Sequence, residues 1–363
     1  MSRPSQPVNV ADYAALAAEK VDPKVWCYFE GGAGDEVSLR ANAAAYGRWR
    51  FRPRMLVDVE GASAATTVLG TPVSMPLLVA PFAMQRLLDP EGEVATARAA
   101  AAAGTLLCVS TITSSTHAEI AAAAGDAPRW LQLYVVRDRQ RTLDHLAEAR
   151  ECGYSALVLT VDMPELGRRE RDLKLGFQIP ADLPLPYIRG SDPAHAETMA
   201  QHFQTSPSLT WDDLEWIAAE SGMPLVLKGI LTREDAALAA ERGVAAVFVS
   251  NHGGRQLDGA AAGLDALPEV VEAVGGRCEV YVDGGIRRGS DVLKALALGA
   301  RAAFSARAVA AGLAVAGEAG VRDVLSILHD EIVLGLALLG CTTPEQVTRA
   351  HVEPVVPYDF LPS

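Results

Sequence analysis

Ser250-Asn251-His252-Gly253-Gly254-Arg255-Gln256-Leu257-Asp258-Gly259 follows directly on Ala245-Ala246-Val247-Phe248-Val249, an apolar run of the length of one buried parallel strand. The polar groups of this stretch should therefore emerge at the strand's C-terminal end, where α/β folds keep their chemistry. His252 can exchange a proton near neutral pH, and Arg255 can hold a carboxylate through a two-pronged hydrogen bond. Gly253-Gly254 permits a tight turn between them. A base and a carboxylate clamp on one short loop point to a 2-substituted acid as substrate. An isolated His-x-x-Arg is more often a glycine-rich surface turn, so the weight falls on all ten residues and on the chain around them.

Outward from this loop, short apolar runs alternate with longer alanine-rich amphipathic segments. Strand-like runs fall at 77–80, 106–109, 130–135, 156–161, 224–227, 245–249, 279–282 and 302–304. Helical periodicity follows them, as at 91–103, 116–124 and 138–151. Eight strand-helix units imply right-handed parallel connections, and eight is the number that closes into a barrel. A doubly wound open sheet is the alternative. Polar residues at almost every strand end favour the α/β class and a (β/α)8 TIM barrel. Further helices are expected at 11–20 and 23–29, so residues 1–70 read as an N-terminal helical extension packed on a barrel of 71–363, one domain overall. A long loop after strand four, 163–209, is rich in proline and polar residues. Interruptions of that length inside a periodic pattern are commonly functional.

The chain has 363 residues, half of them hydrophobic, and a net charge of -13. That charge argues against a nucleic-acid partner, which needs clustered positive residues, so the arginines call for local explanations. Five scattered cysteines with no Cys-x-x-Cys pair fit reduced thiols, without a disulfide framework or a metal site. The first ten residues lack the apolar core of a signal peptide, and no apolar run reaches the roughly 20 residues of a membrane span. A soluble, cytoplasmic protein is expected.

The seventh and eighth strands run into Asp283-Gly284-Gly285-Ile286-Arg287-Arg288-Gly289 and Ser305-Ala306-Arg307. Barrels commonly build phosphate sites from these two loops, with backbone N–H groups and a helix N-terminus facing the anion. Gly284, Gly285, Arg287 and Arg307 suit a phosphomonoester, although Gly-Gly-x-Arg is also a common surface turn. Lys228 ends an apolar strand, where an unpaired ammonium is costly. It can also be read as the Schiff-base nucleophile of a barrel aldolase. Asp162 can hydrogen-bond His252 from behind, or simply cap the turn before Pro164.

The stretch from Ser250 to Gly259 closely resembles the signature of the FMN-dependent 2-hydroxy acid oxidases and dehydrogenases, the glycolate oxidase, lactate oxidase and mandelate dehydrogenase family. Tyr28-Phe29-Glu30-Gly31-Gly32-Ala33-Gly34-Asp35 and Phe51-Arg52-Pro53-Arg54-Met55-Leu56 also resemble it, and the likeness runs from Tyr28 to about Gly340. It implies FMN as cofactor, with Asp283 at the ribityl chain and the loops after the seventh and eighth strands at the phosphate. It places Pro81, Phe82, Ala83, Ser110, Gln132, Thr160 and Ser250 among the cofactor contacts, and Lys228 beside flavin N1. Ala306 stands where many members have glycine. For the substrate, the resemblance implies that Tyr28 and Arg255 hold the carboxylate and Arg169 adds a second cation. Tyr134 then donates to the hydroxyl oxygen, His252 is the base, and Asp162 orients it. An aldolase leaves the His252–Arg255 loop and the phosphate loops only partly explained, and a non-catalytic flavin or phosphate-binding protein leaves the base and clamp unused.

Ile112 falls where plant glycolate oxidases have tryptophan, and Phe82 replaces a small polar residue. The sequence is also similar to hydroxymandelate oxidases in Gln85-Arg86-Leu87 and in Ser250 through Ala260. Mandelate-type or large aliphatic S-2-hydroxy acids are thus expected above glycolate. Pro180, Pro184, Pro186 and Pro193, with Asp192, His195 and Glu197, make 176–209 unsuited to dip into a bilayer. No haem-binding segment is recognisable before the barrel. O2 is the expected electron acceptor, and a homotetramer is expected by resemblance, with alanine-rich faces at 97–103 and 308–316 permitting close helix packing.

Overall fold

Parallel strands β4 (Leu77–Val79), β5 (Leu107–Ser110), β6 (Arg129–Leu133), β7 (Leu157–Thr160), β8 (Leu225–Ile230), β9 (Ala246–Val249), β10 (Glu279–Asp283) and β11 (Ala302–Ser305) close into a barrel, β11 pairing back onto β4. The computed structural model describes residues 7–187 and 205–355. The fold is the (β/α)8 barrel that the eight-fold alternation predicts. Strand residues are buried on both faces, which is why these segments read as continuous apolar runs rather than alternating ones. Trp130, Phe248, Tyr281 and Phe304 meet inside the barrel with ring centroids 4.4 to 6.3 Å apart and fill its interior, Phe304 reaching the floor of the cavity at the C-terminal end. The chemistry is thereby confined to the C-terminal end.

Outside run helices α4 (Gly92–Ala102), α5 (His117–Ala124), α6 (Arg139–Glu151), α7 (Glu170–Leu175), α8 (Asp213–Ser221), α9 (Arg233–Glu241), α10 (Gly263–Val274), α11 (Gly289–Ala297) and α12 (Arg307–Leu339), the last broken at Ala316 and Gly317. Helix α5 starts at a capping box, Thr116 Oγ1 accepting from Glu119 N and the Glu119 carboxylate from Thr116 N. Ala97, Ala99 and Ala100 of α4 and Ala308, Ala310 and Ala311 of α12 are buried within the chain. The alanine-rich faces thus belong to the protomer's own packing.

Ahead of the barrel lie α1 (Val10–Lys20), α2 (Pro23–Glu30) and α3 (Val37–Gly47). Helix α3 had no counterpart in the sequence reading, because its residues show little amphipathic periodicity. Three short strands follow, β1 (Trp49–Phe51), β2 (Thr66–Val68) and β3 (Thr71–Val73). β2 and β3 form an antiparallel hairpin, and β1 pairs antiparallel with β12 (Val352–Pro354). Helix α3 packs against the loop after β9, where Asn42 and Asn251 exchange reciprocal amide hydrogen bonds of 2.8 and 2.9 Å. In the 163–209 segment, α7 and an irregular run to Tyr187 are described. Pro193, Asp192, His195 and Glu197 lie outside the described residues. No helix among the described residues is long and apolar enough to cross a membrane.

Candidate active site

The loop after β9 turns at once into a single 3-10 turn, His252–Gly254, capped by Asn251, whose Oδ1 accepts from Gly254 N at 2.9 Å. His252 itself sits at φ 58°, a left-handed conformation uncommon for a side-chain-bearing residue. The strain is held by Ser250 Oγ, which accepts from His252 N at 3.0 Å, and by Asp162 Oδ1, 2.9 Å from His252 Nδ1. Gly229 lets Asp162 approach: it bulges β8 at φ 112°, and a Cβ there would lie 2.6 Å from that of Asp162. Tyr134, one residue beyond β6, puts its hydroxyl 3.2 Å from His252 Nε2.

Burial holds the His252 pKa below the usual imidazole value, and the cationic Lys228 and Arg169 add to the effect against the opposing pull of Asp162. For Asp162, burial favours the neutral acid, but His252 and Lys228 together outweigh it and keep the carboxyl below the ordinary aspartate range. The neutral imidazole therefore donates from Nδ1 to the carboxylate and presents its Nε2 lone pair toward the Tyr134 hydroxyl. Burial, then Asp162, raises the Tyr134 hydroxyl, so it remains a donor.

Two arginines approach the same space. Arg255 Nη1 donates to the carbonyls of Tyr28 (2.6 Å) and Gly31 (2.8 Å), and the guanidinium lies 4.8 Å from the Tyr28 ring centre. Arg169 is buried, its guanidinium 5.9 Å from the centre of the same ring, and its Nε has no partner among the described residues. Burial and the neighbouring Arg255 push the Arg169 pKa down to about 10, so it stays charged at neutral pH. Among the described residues neither arginine has a carboxylate within ion-pair distance. A small substrate anion would supply one.

These groups open onto a cavity of about 1030 Å³, counting its mouth, at the C-terminal end of the barrel. Pro81, Phe82, Ala83, Ser110, Gln132 and Thr160 line one side of it. Lys228, Asp283, Gly284, Gly285, Arg287, Ala306 and Arg307 line the other, with Tyr28, Tyr134, Arg169, His252 and Arg255 at the opening. Ser250 is the exception among the expected cofactor contacts. It is fully buried behind the wall, and its hydroxyl accepts from Lys228 Nζ at 2.9 Å and from the His252 amide, so it holds two wall residues rather than forming the wall. Lys228 also lies 3.5 Å from Asp283 Oδ2, a paired cation where an aldolase needs a free amine. Phe29, Met163 and Ile286 line the cavity too. Sequence reasoning passed over them because an apolar residue carries no signal that separates a site wall from core.

The closed end of the cavity is cationic. Arg307 donates to the carbonyls of Phe29, Gly31 and Gly253 at 3.0 to 3.1 Å, and Arg287 to that of Ile286 at 2.9 Å. Among the described residues neither has a carboxylate partner within ion-pair distance. Burial first, then Arg255 and Arg287, lowers the Arg307 pKa to about 9. Two half-buried guanidiniums, Arg287 adding to the lowering of the Arg307 pKa, favour an anion beside them, and the left-handed Gly284 and Gly285 (φ 90° and 85°) lie at the same end of the cavity, ahead of α11. Next to them, Asp283 Oδ1 is a buried acceptor with no partner, as a hydroxylated chain would require.

Residues 17–354 match the family model described as FMN-dependent dehydrogenase. An L-lactate oxidase of Nostoc sp. is 48% identical over 97% of this chain and 100% of its own length. Glycolate oxidase 5 of Oryza sativa subsp. japonica is 46% identical over 95% of each chain. The crystal structure of mandelate oxidase with (S)-4-hydroxymandelic acid superposes with a TM-score of 0.92 at 41% identity, covering 97% of this chain and all of that one. FMN fits the cavity on its own chemistry, its phosphate suiting the arginine end and its ribityl hydroxyls the orphaned Asp283 oxygen. The cofactor is FMN, and the chain belongs to the FMN-dependent 2-hydroxy acid oxidase and dehydrogenase family.

Proposed function

We propose that this enzyme oxidises an S-2-hydroxy acid to the 2-oxo acid and passes the electrons to O2, giving hydrogen peroxide. The observation that carries the reading is the neutral His252, backed by Asp162, beside two arginines without carboxylate partners. Bound FMN supplies the two-electron acceptor. Arg255, Arg169 and the Tyr28 hydroxyl bind the carboxylate and thereby orient C2. The Tyr134 hydroxyl donates to the substrate oxygen, His252 Nε2 takes the proton, and the Asp162 carboxylate stabilises the resulting imidazolium. Lys228 places a positive charge beside the cofactor, where it favours negative charge arriving on the ring.

Large side chains suit the apolar mouth, where Ile112, Phe82 and Met163 face the space. A second cavity of about 910 Å³ stands against the first, sharing Tyr134, Thr160 and Met163 and lined further by Leu209, Trp211, Leu214 and Ile230. The expected result of an anaerobic screen is flavin bleaching by mandelate or a long aliphatic 2-hydroxy acid at higher kcat/KM than by glycolate, with stoichiometric peroxide on admitting air. Glycolate outperforming every bulky acid would remove the size assignment, and slow reoxidation in air would mark a dehydrogenase instead.

Arg255→Lys should raise the dissociation constant for substrate by about 10- to 100-fold, the worth of a charged hydrogen bond, because an ammonium cannot reproduce the planar fork. Its Nη1 contacts with Tyr28 and Gly31 would go as well, loosening the tyrosine. Rapid mixing across a substrate series reads both the affinity and the limiting rate. Flavin reduction should also show an acid limb below the ordinary imidazole range. His252 must be neutral to act as base, and its lowered pKa keeps it neutral at pH values where a free imidazole is half protonated. An acid limb centred above pH 7 would contradict the assignment.

A further inference from the structure

Glu93 is a buried carboxylate in the first turn of α4, 1% exposed and with no cation within ion-pair distance among the described residues. All of its satisfaction comes from two loops. Oε1 accepts from Gln85 N (3.1 Å) and Ser114 N (2.9 Å), and Oε2 from Ser114 Oγ (2.7 Å) and Ser115 Oγ (3.2 Å). Gln85 belongs to the loop after β4, which carries Pro81, Phe82 and Ala83 into the cavity, and Ser114 and Ser115 to the loop after β5, which carries Ser110 and Ile112. The carboxylate is thus a four-bond staple between the two apolar walls of the site.

The neighbouring residues are built around that staple. Gly92, at φ 48°, allows α4 to begin against the first loop, since a Cβ there would lie 2.7 Å from Arg86 Cγ and 2.8 Å from Arg86 N. Met84, in the left-handed region at φ 55°, donates from its N–H to Ile112 O at 2.9 Å, and Arg86 N donates to Ser114 Oγ at 3.0 Å. The Gln85 side chain continues inward, accepting from Thr96 Oγ1 at 2.6 Å and donating to Phe82 O at 3.4 Å. A buried charge held by four donors resists displacement, because any one donor that leaves it exposes an unsatisfied group on both sides.

We propose that Glu93 is a positioning residue for substrate selectivity, fixing the spacing of the Phe82 and Ile112 walls that bound the substrate side chain. The proposal rests on the reading that a 2-hydroxy acid occupies this cavity. Glu93 reaches no substrate or cofactor atom; it acts through the backbone of Gln85 and Ser114. Removing it releases both walls at once and lets the opening between them vary, so discrimination between side chains of different size falls.

The test uses the FMN-loaded enzyme and compares Glu93→Ala, Glu93→Gln and the double variant Ser114→Ala/Ser115→Ala. The readouts are the ratio of kcat/KM for mandelate over lactate, the ratio of dissociation constants for phenylglyoxylate over pyruvate from the flavin absorbance, and the thermal unfolding midpoint. Glu93→Ala and the double serine variant should each move both ratios toward unity by about tenfold. Glu93→Gln should recover most of the loss, since its amide oxygen still accepts from both backbone N–H groups while its NH2 donates to the serine hydroxyls, which can rotate. A lower unfolding midpoint with both ratios unchanged would reduce Glu93 to a structural staple and overturn the proposal. Should the double serine variant fold and keep wild-type ratios while Glu93→Ala does not fold, the same conclusion follows. If no 2-hydroxy acid bleaches the wild-type flavin, the functional reading falls first and takes this one with it.

Discussion

His252→Ala is expected to slow flavin reduction by about 10²- to 10⁴-fold, the usual contribution of a positioned general base, while FMN stays bound. Among the described residues the imidazole is hydrogen-bonded to Asp162 and Tyr134, whereas the cationic end of the cavity is built from Arg287 and Arg307. Substrate affinity should change little, because Arg255 and Arg169 remain. The variant leaves the buried Asp162 carboxylate without its Nδ1–H donor, so Asp162→Asn is the natural companion: it preserves the ring's position better but withdraws the charge that stabilises the imidazolium. Its reduction rate should lie between wild type and His252→Ala. Rapid-mixing absorbance against substrate concentration separates affinity from rate. Bleaching of His252→Ala at the wild-type rate would show that another group takes the proton, even with the flavin and the barrel as described.

The second large effect concerns stability in acid, and it comes from a cluster remote from the chemistry. His117, His145 and Tyr187 stack with centroids 4.4 to 4.8 Å apart, and His117 Nδ1 lies 2.8 Å from the Tyr154 hydroxyl. Tyr187 fastens the segment after α7 onto the barrel helices, donating to Glu148 Oε1 at 2.6 Å and accepting from His117 N at 2.7 Å. Burial lowers the His117 pKa to about 2, with His145 as a further cause, and burial lowers that of His145 to about 3. Both rings are neutral when folded, yet each binds a proton below about pH 6.5 once unfolded. Their folded pKa values are depressed, so stability is whole above the unfolded value and drains away as pH falls from there toward the folded values. Between pH 6.5 and 4.5 the two rings together account for a loss on the order of 5 kcal/mol. Denaturant titrations at those two pH values check it, and His145→Phe, which keeps an aromatic ring in the stack, should remove roughly half of the acid sensitivity. An equal pH dependence in that variant would place the acid lability elsewhere.

Much of the site was readable because its residues are chemically improbable where they stand. Lysine at position 228 inside an apolar strand, aspartate at 162 and histidine at 252 after such strands, and arginines at 287 and 307 just after the last two strands each demand an explanation that solvent exposure does not provide. The ordered alternation of strand and helix supplied the positions at which to look. Ser250 shows the limit of that reasoning. A serine at a strand end faces the cavity or turns behind it according to a one-residue difference in where the strand ends, and here it turns behind to hold Lys228 and the His252 amide. The extent of α3 escaped for a different reason: its buried face carries Ser38, Asn42, Ala45 and Tyr46 while Val37, Ala43 and Ala44 are exposed, so hydrophobicity does not mark the side that packs.

By itself the sequence determined the barrel, the strand ends that carry polar groups, and which histidine, lysine and arginines come together at the cavity. These follow from period, residue type and order along the chain, which are local properties. Only the tertiary structure decided that Asn42 of the N-terminal helices locks Asn251, that Gly229 clears the space Asp162 needs, and that Glu93 joins two walls of the cavity. Each is a contact between different elements of the fold whose members, taken singly, look like an ordinary surface amide, a loop glycine and a helix-start carboxylate. Their roles arise from what closing the barrel brings within about 3 Å of them, and no pattern along the chain records that distance.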